Sequence, residues 1–345
     1  MQACEPRRQA SGYCPPRTTA GVRSSIFVRI LEGNSSVLVD MATDHQDETV
    51  RSGPFEARYL AFLETITQLR PQLHRYCSRM TGSVMDGEDV VQDALFQAYR
   101  KLETFDGERP LAPWLFRIAH NQCIDFLRRH KVREEAERVA VEPDRVMPVD
   151  PPGYALGRAV EQLVLALPPM ERGCVLLKDV FEYSLEEISE LVGTTVGSVK
   201  AALKRGRTKL AALSAPVQRP RPKNAELAQL LRLYVDRFNQ RDWDGVRELI
   251  AADARLQVAD RFLGPLSESP YFGNYDRQRA AWRLTVGEVD GELVAVVLRQ
   301  HGDEWRPDSV ARLEVIDHHI AHIVDYAHCP WLLPAANSVV VADVP

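Results

Sequence analysis

Lys200, Lys204, Arg205, Arg207 and Lys209 crowd one short stretch, and no acidic residue occurs from Thr194 to Leu213. Val199, Leu203 and Leu210 fall at helical spacing on the side opposite these cations and would pack inward. A helix that is apolar on one face and basic on the other can neutralise phosphates and donate to base edges in a DNA major groove. The plain alternative is a solvated basic face.

The elements around that helix show how it would be presented. Leu167-Pro168-Pro169-Met170 breaks the chain and starts a helix carrying Val175, Leu176 and Val180 on its apolar face. Ser184 with Glu187 three residues on is a capping-box pattern, opening a second helix with Leu185, Ile188 and Leu191 inside. Gly193 closes that helix, Thr194 and Thr195 supply a new cap, and the basic helix begins near Val196. Helix, glycine-containing turn, helix is the helix-turn-helix arrangement.

Earlier in the chain, Tyr59, Phe62, Leu63, Ile66, Leu69, Leu73 and Tyr76 recur at threes and fours, predicting an amphipathic helix interrupted near Pro71. After Thr81-Gly82-Ser83 comes a helix with Val90, Leu95 (or Val91) and Tyr99 inward and an acidic outer face. Lys101 to Pro110 reads as a loop holding Phe105. The run from Trp114 is a third helix, with Ile118, Ile124 and Leu127 assigned to the core and a basic cluster at its end.

At 345 residues the chain has room for two or three domains, and its net charge of −5 confines any nucleic-acid surface to a local patch. No apolar run reaches membrane-spanning length. The six cysteines show no CxxC or Cys/His ligand spacing, which fits reduced thiols in a cytoplasmic protein and no metal. Residues 1–50 read as a disordered tail or as the product of an upstream start codon, with Met41 the true start. Residues 134–157 are acidic and Pro-rich, and residues 215–224 form a second linker.

These segments resemble a known family. GEDVVQDALFQAYRKLETF (Gly87 to Phe105), followed by PWLFRIAHNQCIDFLRRHK (Pro113 to Lys131), looks like region 2 of the bacterial sigma-70 superfamily. The run from Leu167 to Leu210 looks like its region 4. Their order, with a linker and no folded region between, is that of the extracytoplasmic-function (group 4) sigma factors. The resemblance implies two all-α units, region 2 over 54–133 and the helix-turn-helix region 4 over 158–214. It implies a non-enzymatic protein that binds core RNA polymerase and promoter DNA and needs no cofactor.

By the same resemblance Asp89, Gln92 and Asp93 dock on polymerase. Phe105 and Asn121 surround a flipped −10 base, which Trp114 either stacks on or leaves for the core. Arg117, Arg128, Arg129 and Lys131 meet phosphates. Lys200, Ala201, Lys204 and Arg205 read the −35 element, Arg207 and Lys209 contact phosphates, and Thr194, Thr195 and Ser198 grip a phosphate at the helix N-terminus. The acidic linker would thread toward the polymerase active-site channel or serve as a plain spacer.

The chain continues well past region 4. Leu227, Leu230, Leu231, Tyr234, Val235 and Phe238 mark one helix, and Trp243, Val246, Leu249 and Ile250 a second. Strand-like runs follow at 255–258, 281–286, 293–299, 310–316 and 319–326, with turns at Gly287 to Gly291 and at His318-His319. Helices followed by a strand meander give an α+β cone over 225–335. Tyr234 to Val258 with the late strands resembles the SnoaL-like domain that some of these sigma factors append, although the Asp-Gly-Gly-Gly-Arg motif of one such group is absent. Such cones can enclose a pocket, to which Tyr234, Trp243, Asp253, Tyr271, His318 and His322 would contribute. The expected role is regulatory, through packing across regions 2 and 4, an anti-sigma factor or a small ligand. Two other readings stay open: a helix-turn-helix regulator independent of polymerase, and a SnoaL-like enzyme or binding module fused to DNA-binding helices.

Overall fold

The computed structural model describes residues 54–106, 110–138, 164–212, 225–278 and 280–341; the expectations for the N-terminal tail and for the linker segments at 139–157 and 215–224 lie outside them. Helix α1 spans Pro54–Thr81, α2 Val84–Lys101 and α3 Leu111–Arg138. Pro71 does not interrupt α1. Its ring faces solvent, and Phe62, Ile66, Leu73 and Tyr76 on both sides of it are buried, so packing outweighs the one backbone bond that proline removes. Helix α2 starts at Ser83, whose side chain accepts from the Asp86 N–H at 3.3 Å. It crosses α1 closely at Gly87, where a Cβ would lie 2.6 Å from the Ser78 Cα.

Helix α4 (Pro169–Val175) runs into a π-helical turn, Leu176–Val180, that carries Val180 out to solvent instead of into the core. Helix α5 (Leu185–Val192) opens on the capping box: the Glu187 N–H donates to Ser184 Oγ, and the Ser184 N–H to the Glu187 carboxylate. Gly193 ends it with φ 75°, a left-handed conformation in which glycine avoids the Cβ penalty. Helix α6 is Val196–Ala212. One continuous apolar core joins these six helices, from Phe62 and Tyr76 of α1 to Val199 and Leu203 of α6.

The C-terminal part is α+β. Helices α7 (Ala225–Asn239) and α8 (Trp243–Glu248) precede strands β1 (Ile250–Val258) and β2 (Phe262–Pro265), a short helix α9 (Tyr271–Asp276), and β3 (Trp282–Val289), β4 (Glu292–His301), β5 (Glu304–Ile316) and β6 (His319–Asp325). A last turn of helix, α10 (Leu332–Ala335), leads to β7 (Val339–Val341). The sheet order is β2-β1-β6-β5-β4-β3-β7, with β1 and β6 parallel and the other neighbours antiparallel. Gly287 lies within β3 rather than in a turn; the turn is Asp290-Gly291, both with positive φ, as a two-residue hairpin of this hand requires. Asp317-His318 makes the equivalent turn between β5 and β6, and His319 already belongs to β6. Beyond the short reach of β7, Asn239 satisfies the edge of β3 by bonding both the N–H and the C=O of Leu284 at 2.8 Å.

One face of the sheet packs on α7, α8 and α9, and its interior is filled with rings. Phe238 sits 5.0 Å from Tyr275 and 5.6 Å from Trp282, and the Tyr271 and Tyr275 hydroxyls both donate to Asp325 at 2.8 Å. The residues expected to line a pocket do not converge. Tyr234 and Tyr271 belong to this fill, Asp253 is exposed, His318 pairs with Glu226, and His322 pairs with Glu314. The other face carries Val294, Val296, Val310 and Val324 and packs on α10 and on Val84 and Met85 of α2.

Replacing Gly87 with Ala forces α1 and α2 apart at backbone, not at a yielding side chain. The expected cost is about 1–3 kcal/mol of stability, read by thermal unfolding of the Gly87→Ala chain. An unchanged melting temperature would contradict the close crossing.

Candidate nucleic-acid and polymerase interfaces

On α6, Val199, Ala202, Leu203 and Gly206 face inward, and Gly206 lets Val175 of α4 approach closely. The opposite face is exposed. Thr195 caps the helix by accepting from the Ser198 N–H at 3.2 Å, and the N–H groups of Gly193 and Thr194 both reach the Ser189 carbonyl at 3.0 Å. Lys200, Ala201 and Lys204 point to solvent. Arg205 and Lys209 reach Glu171 at 2.9 and 2.8 Å, and Arg207 pairs with Asp179 at 2.5 Å. All three cations remain about half exposed, so water screens the pairs and each contributes little to stability. They hold the side chains on this face at little cost to their release.

The residues expected around a −10 base separate into three places. Phe105 is buried and packs on Trp114 in a tilted pair with ring centroids 4.5 Å apart, so in this structure these rings support the turn before α3 rather than standing open to a base. Asn121 and Arg128 lie on an open groove of about 360 Å³ that also holds Gln97, Ile118 and Gln122. Arg128 is paired with Asp125 at 3.3 Å, and Arg129 and Lys131 are exposed. Arg117 lies against Gly193, where a Cβ would overlap its guanidinium. It places positive charge at the C-terminal end of α5, where the helix dipole favours it.

The acidic face of α2 is covered by the C-terminal sheet. Arg312 of β5 reaches Asp86 at 2.8 Å, Asp89 at 3.1 Å and Glu292 at 2.8 Å, with its side chain 11% exposed. The Tyr326 hydroxyl donates to Asp89 at 3.1 Å, and Gln257 donates to Gln92 at 3.2 Å. Asp93, one residue on, is exposed. Burial pushes the Asp89 carboxyl up against the opposing pull of Arg312.

Deeper in the same contact, Arg70 of α1 lies 2.5 Å from both Glu88 of α2 and Asp260 of the β1–β2 turn, under the ring of Trp331. Trp331 Nε1 donates to Glu88 at 2.9 Å. Burial would raise Glu88, but Arg70 and His74 overcome it and hold the carboxyl below its ordinary value. The Val84 N–H at the start of α2 donates to Asp290 of the β3–β4 turn at 3.0 Å. Sequence reasoning missed Asp86, Glu88, Arg312, Tyr326 and Trp331. The signal it had was one arginine inside the apolar run from Val310 to Ile316.

Between the two helical regions, the Tyr76 hydroxyl lies 2.6 Å from His120 Nδ1, and Gly173 of α4 packs against both groups. Burial pushes His120 down to about 4. The folded chain therefore binds this proton less readily than the unfolded chain. Stability should be full above about pH 6.5 and should fall as pH drops toward 4, by at most about 1.4 kcal/mol per pH unit. Denaturant midpoints at pH 7.5 and 5 measure this, and His120→Gln should flatten the difference.

Comparison with known proteins places the two helical regions. The family model for sigma-70 region 2 matches residues 65–133, and that for sigma-70 region 4 matches residues 157–210. The ECF RNA polymerase sigma factor SigW of Bacillus subtilis is 34% identical over 44% of this chain and 87% of its own length. SigG of Mycobacterium tuberculosis, another ECF RNA polymerase sigma factor, is 27% identical over 90% of each chain, so the likeness runs through the C-terminal part. The crystal structure of the Mycobacterium tuberculosis sigma factor SigJ covers 76% of this chain at 18% identity and a TM-score of 0.30, too low to carry weight.

Proposed function

We infer that this chain, which belongs to the extracytoplasmic-function sigma factors of RNA polymerase, is gated by its own C-terminal domain. As a sigma factor it binds core RNA polymerase, recognises promoter −35 and −10 elements and supports transcription initiation. It acts by binding, in the cytoplasm where the polymerase works, and not by chemistry of its own. Among the described residues no helix is long and apolar enough to cross a membrane.

One observation carries the gating. The acidic face of α2, which the family resemblance turns toward polymerase, is neutralised by Arg312 and covered by β5 and β6. The same residues cannot pair with the cone and with polymerase at once. The DNA-facing surfaces are treated differently: the outer face of α6 and the groove at Asn121 stay open. The cone therefore controls access to polymerase rather than to DNA. Arg117 is a partial exception, since its place against Gly193 must be given up before it can meet a phosphate.

Arg312 stands among three carboxylates, and its removal leaves like charges facing one another across the contact. These side chains are partly exposed, so breaking the pairs costs less than the about 3–5 kcal/mol of a fully buried pair, yet it shifts the balance toward the open chain. Arg312→Gln should raise initiation by core polymerase in vitro about tenfold or more, with the helical core still melting cooperatively. Equal transcription by the two chains would remove Arg312 from any gating role. Lys200→Ala with Lys204→Ala should weaken promoter binding and lower its salt dependence by about two charges, with core binding unchanged.

A further inference from the structure

Glu88 of α2, Asp260 of the β1–β2 turn and Cys329 after β6 are all buried, and one ligand atom from each lies within 4.8 Å of the others. The donors come from three separate segments, and two of the three belong to the cone. A single nitrogen of Arg70 serves both carboxylates at 2.5 Å. Among the described residues, the other guanidinium nitrogens of Arg70 find no hydrogen-bond partner, and neither does Asp260 Oδ1, although Arg70 and Asp260 are more than nine-tenths buried. An arginine matched to two carboxylates would spread its forked donors over them. Here two donors of Arg70 and one acceptor, Asp260 Oδ1, are left over side by side, so the arginine does not fill the space between the carboxylates as a matched partner would.

We propose that Glu88, Asp260 and Cys329 form a site for a borderline divalent transition metal such as zinc, with the Arg70 guanidinium holding the place of the ion when no metal is bound. The thiolate selects such ions over magnesium and calcium, and three protein ligands plus one water make a tetrahedral set. On binding, the metal forms one bond to the Cys329 sulfur, whose proton passes to solvent, and one to each carboxylate. Arg70 moves aside along the face of Trp331, whose ring centroid already lies 4.9 Å from its guanidinium carbon. Glu88 is in the helical part and the other two ligands are in the cone, so the ion ties one to the other. That last consequence rests on the gating reading; metal binding itself does not.

The test is titration of the reduced full-length chain with Co2+, followed by displacement with Zn2+. The expected result is a thiolate-to-cobalt absorption band in the near ultraviolet that saturates at one equivalent, with a rise in melting temperature on adding Zn2+. Cys329→Ser should abolish the band, and Asp260→Asn should weaken binding about tenfold. Arg70→Gln, by removing the competing cation, should tighten it about tenfold. A site elsewhere would not show that last effect. The proposal is overturned if wild-type chain gives neither band nor melting shift, or if the band survives Cys329→Ser, which would place the metal on another of the six cysteines. Polymerase is absent from this assay, so failure here leaves the gating standing, and failed gating leaves the metal site standing.

Discussion

The arrangement of the whole molecule depends on one constraint: Arg70, which is buried, and Arg312, which is largely covered, are cations that need carboxylates from both sides of the contact between α2 and the cone. Arg312 takes Asp86 and Asp89 from α2 and Glu292 from β4. Arg70 takes Glu88 from α2 and Asp260 from the cone. Such pairs add little net stability over an apolar contact, because desolvation offsets most of their attraction. What they add is geometry and reversibility. An all-apolar seam would have no affinity for a competing polar partner, whereas a seam of charges can be exchanged for another set of charges.

Apolar packing supplies the remainder of the contact. Val84 and Met85 reach into the face of the sheet that α10 and Trp331 also cover. Residues after β6 thus form a wedge between the sheet and the helices, and Asp290 fixes the first turn of α2 from the cone side. The two helical regions meet each other through a different set of contacts, around Tyr76, His120 and Gly173, and through Arg117 at the end of α5. Closure is therefore the sum of two separable contacts, one made by the cone and one made between the regions.

Much of this was legible in the chain. The Ser184/Glu187 box, the Gly193 turn and the inward set Val199 and Leu203 depend on local geometry, and the structure reproduces each. The strand-like runs marked the strands of the cone, except β2 and β7, which are too short to give a period, and the start of β1, where Ile250 read as the end of a helix. Pro71 misled because tertiary packing on both sides holds α1 together. For Phe105 and Trp114 the sequence left the choice open, because two rings near one turn can serve a base or each other; in this structure they pack on each other. The acidic face of α2 read as a polymerase-docking face with no partner inside the chain, because Arg312 lies 223 residues from Asp89. No spacing rule reaches that far.

The central claim is that the cone and core polymerase compete for the acidic face of α2. Its most direct test is the distance between a label at Arg100, on the exposed end of α2, and one at Asp303, in the β4–β5 turn, measured with and without core polymerase. The account predicts a single short distance in the free chain, replaced by a longer and broader distribution in the polymerase-bound chain. A distance that stays the same while the chain is bound and initiating would mean that polymerase engages the closed form, and the gate as described would not exist.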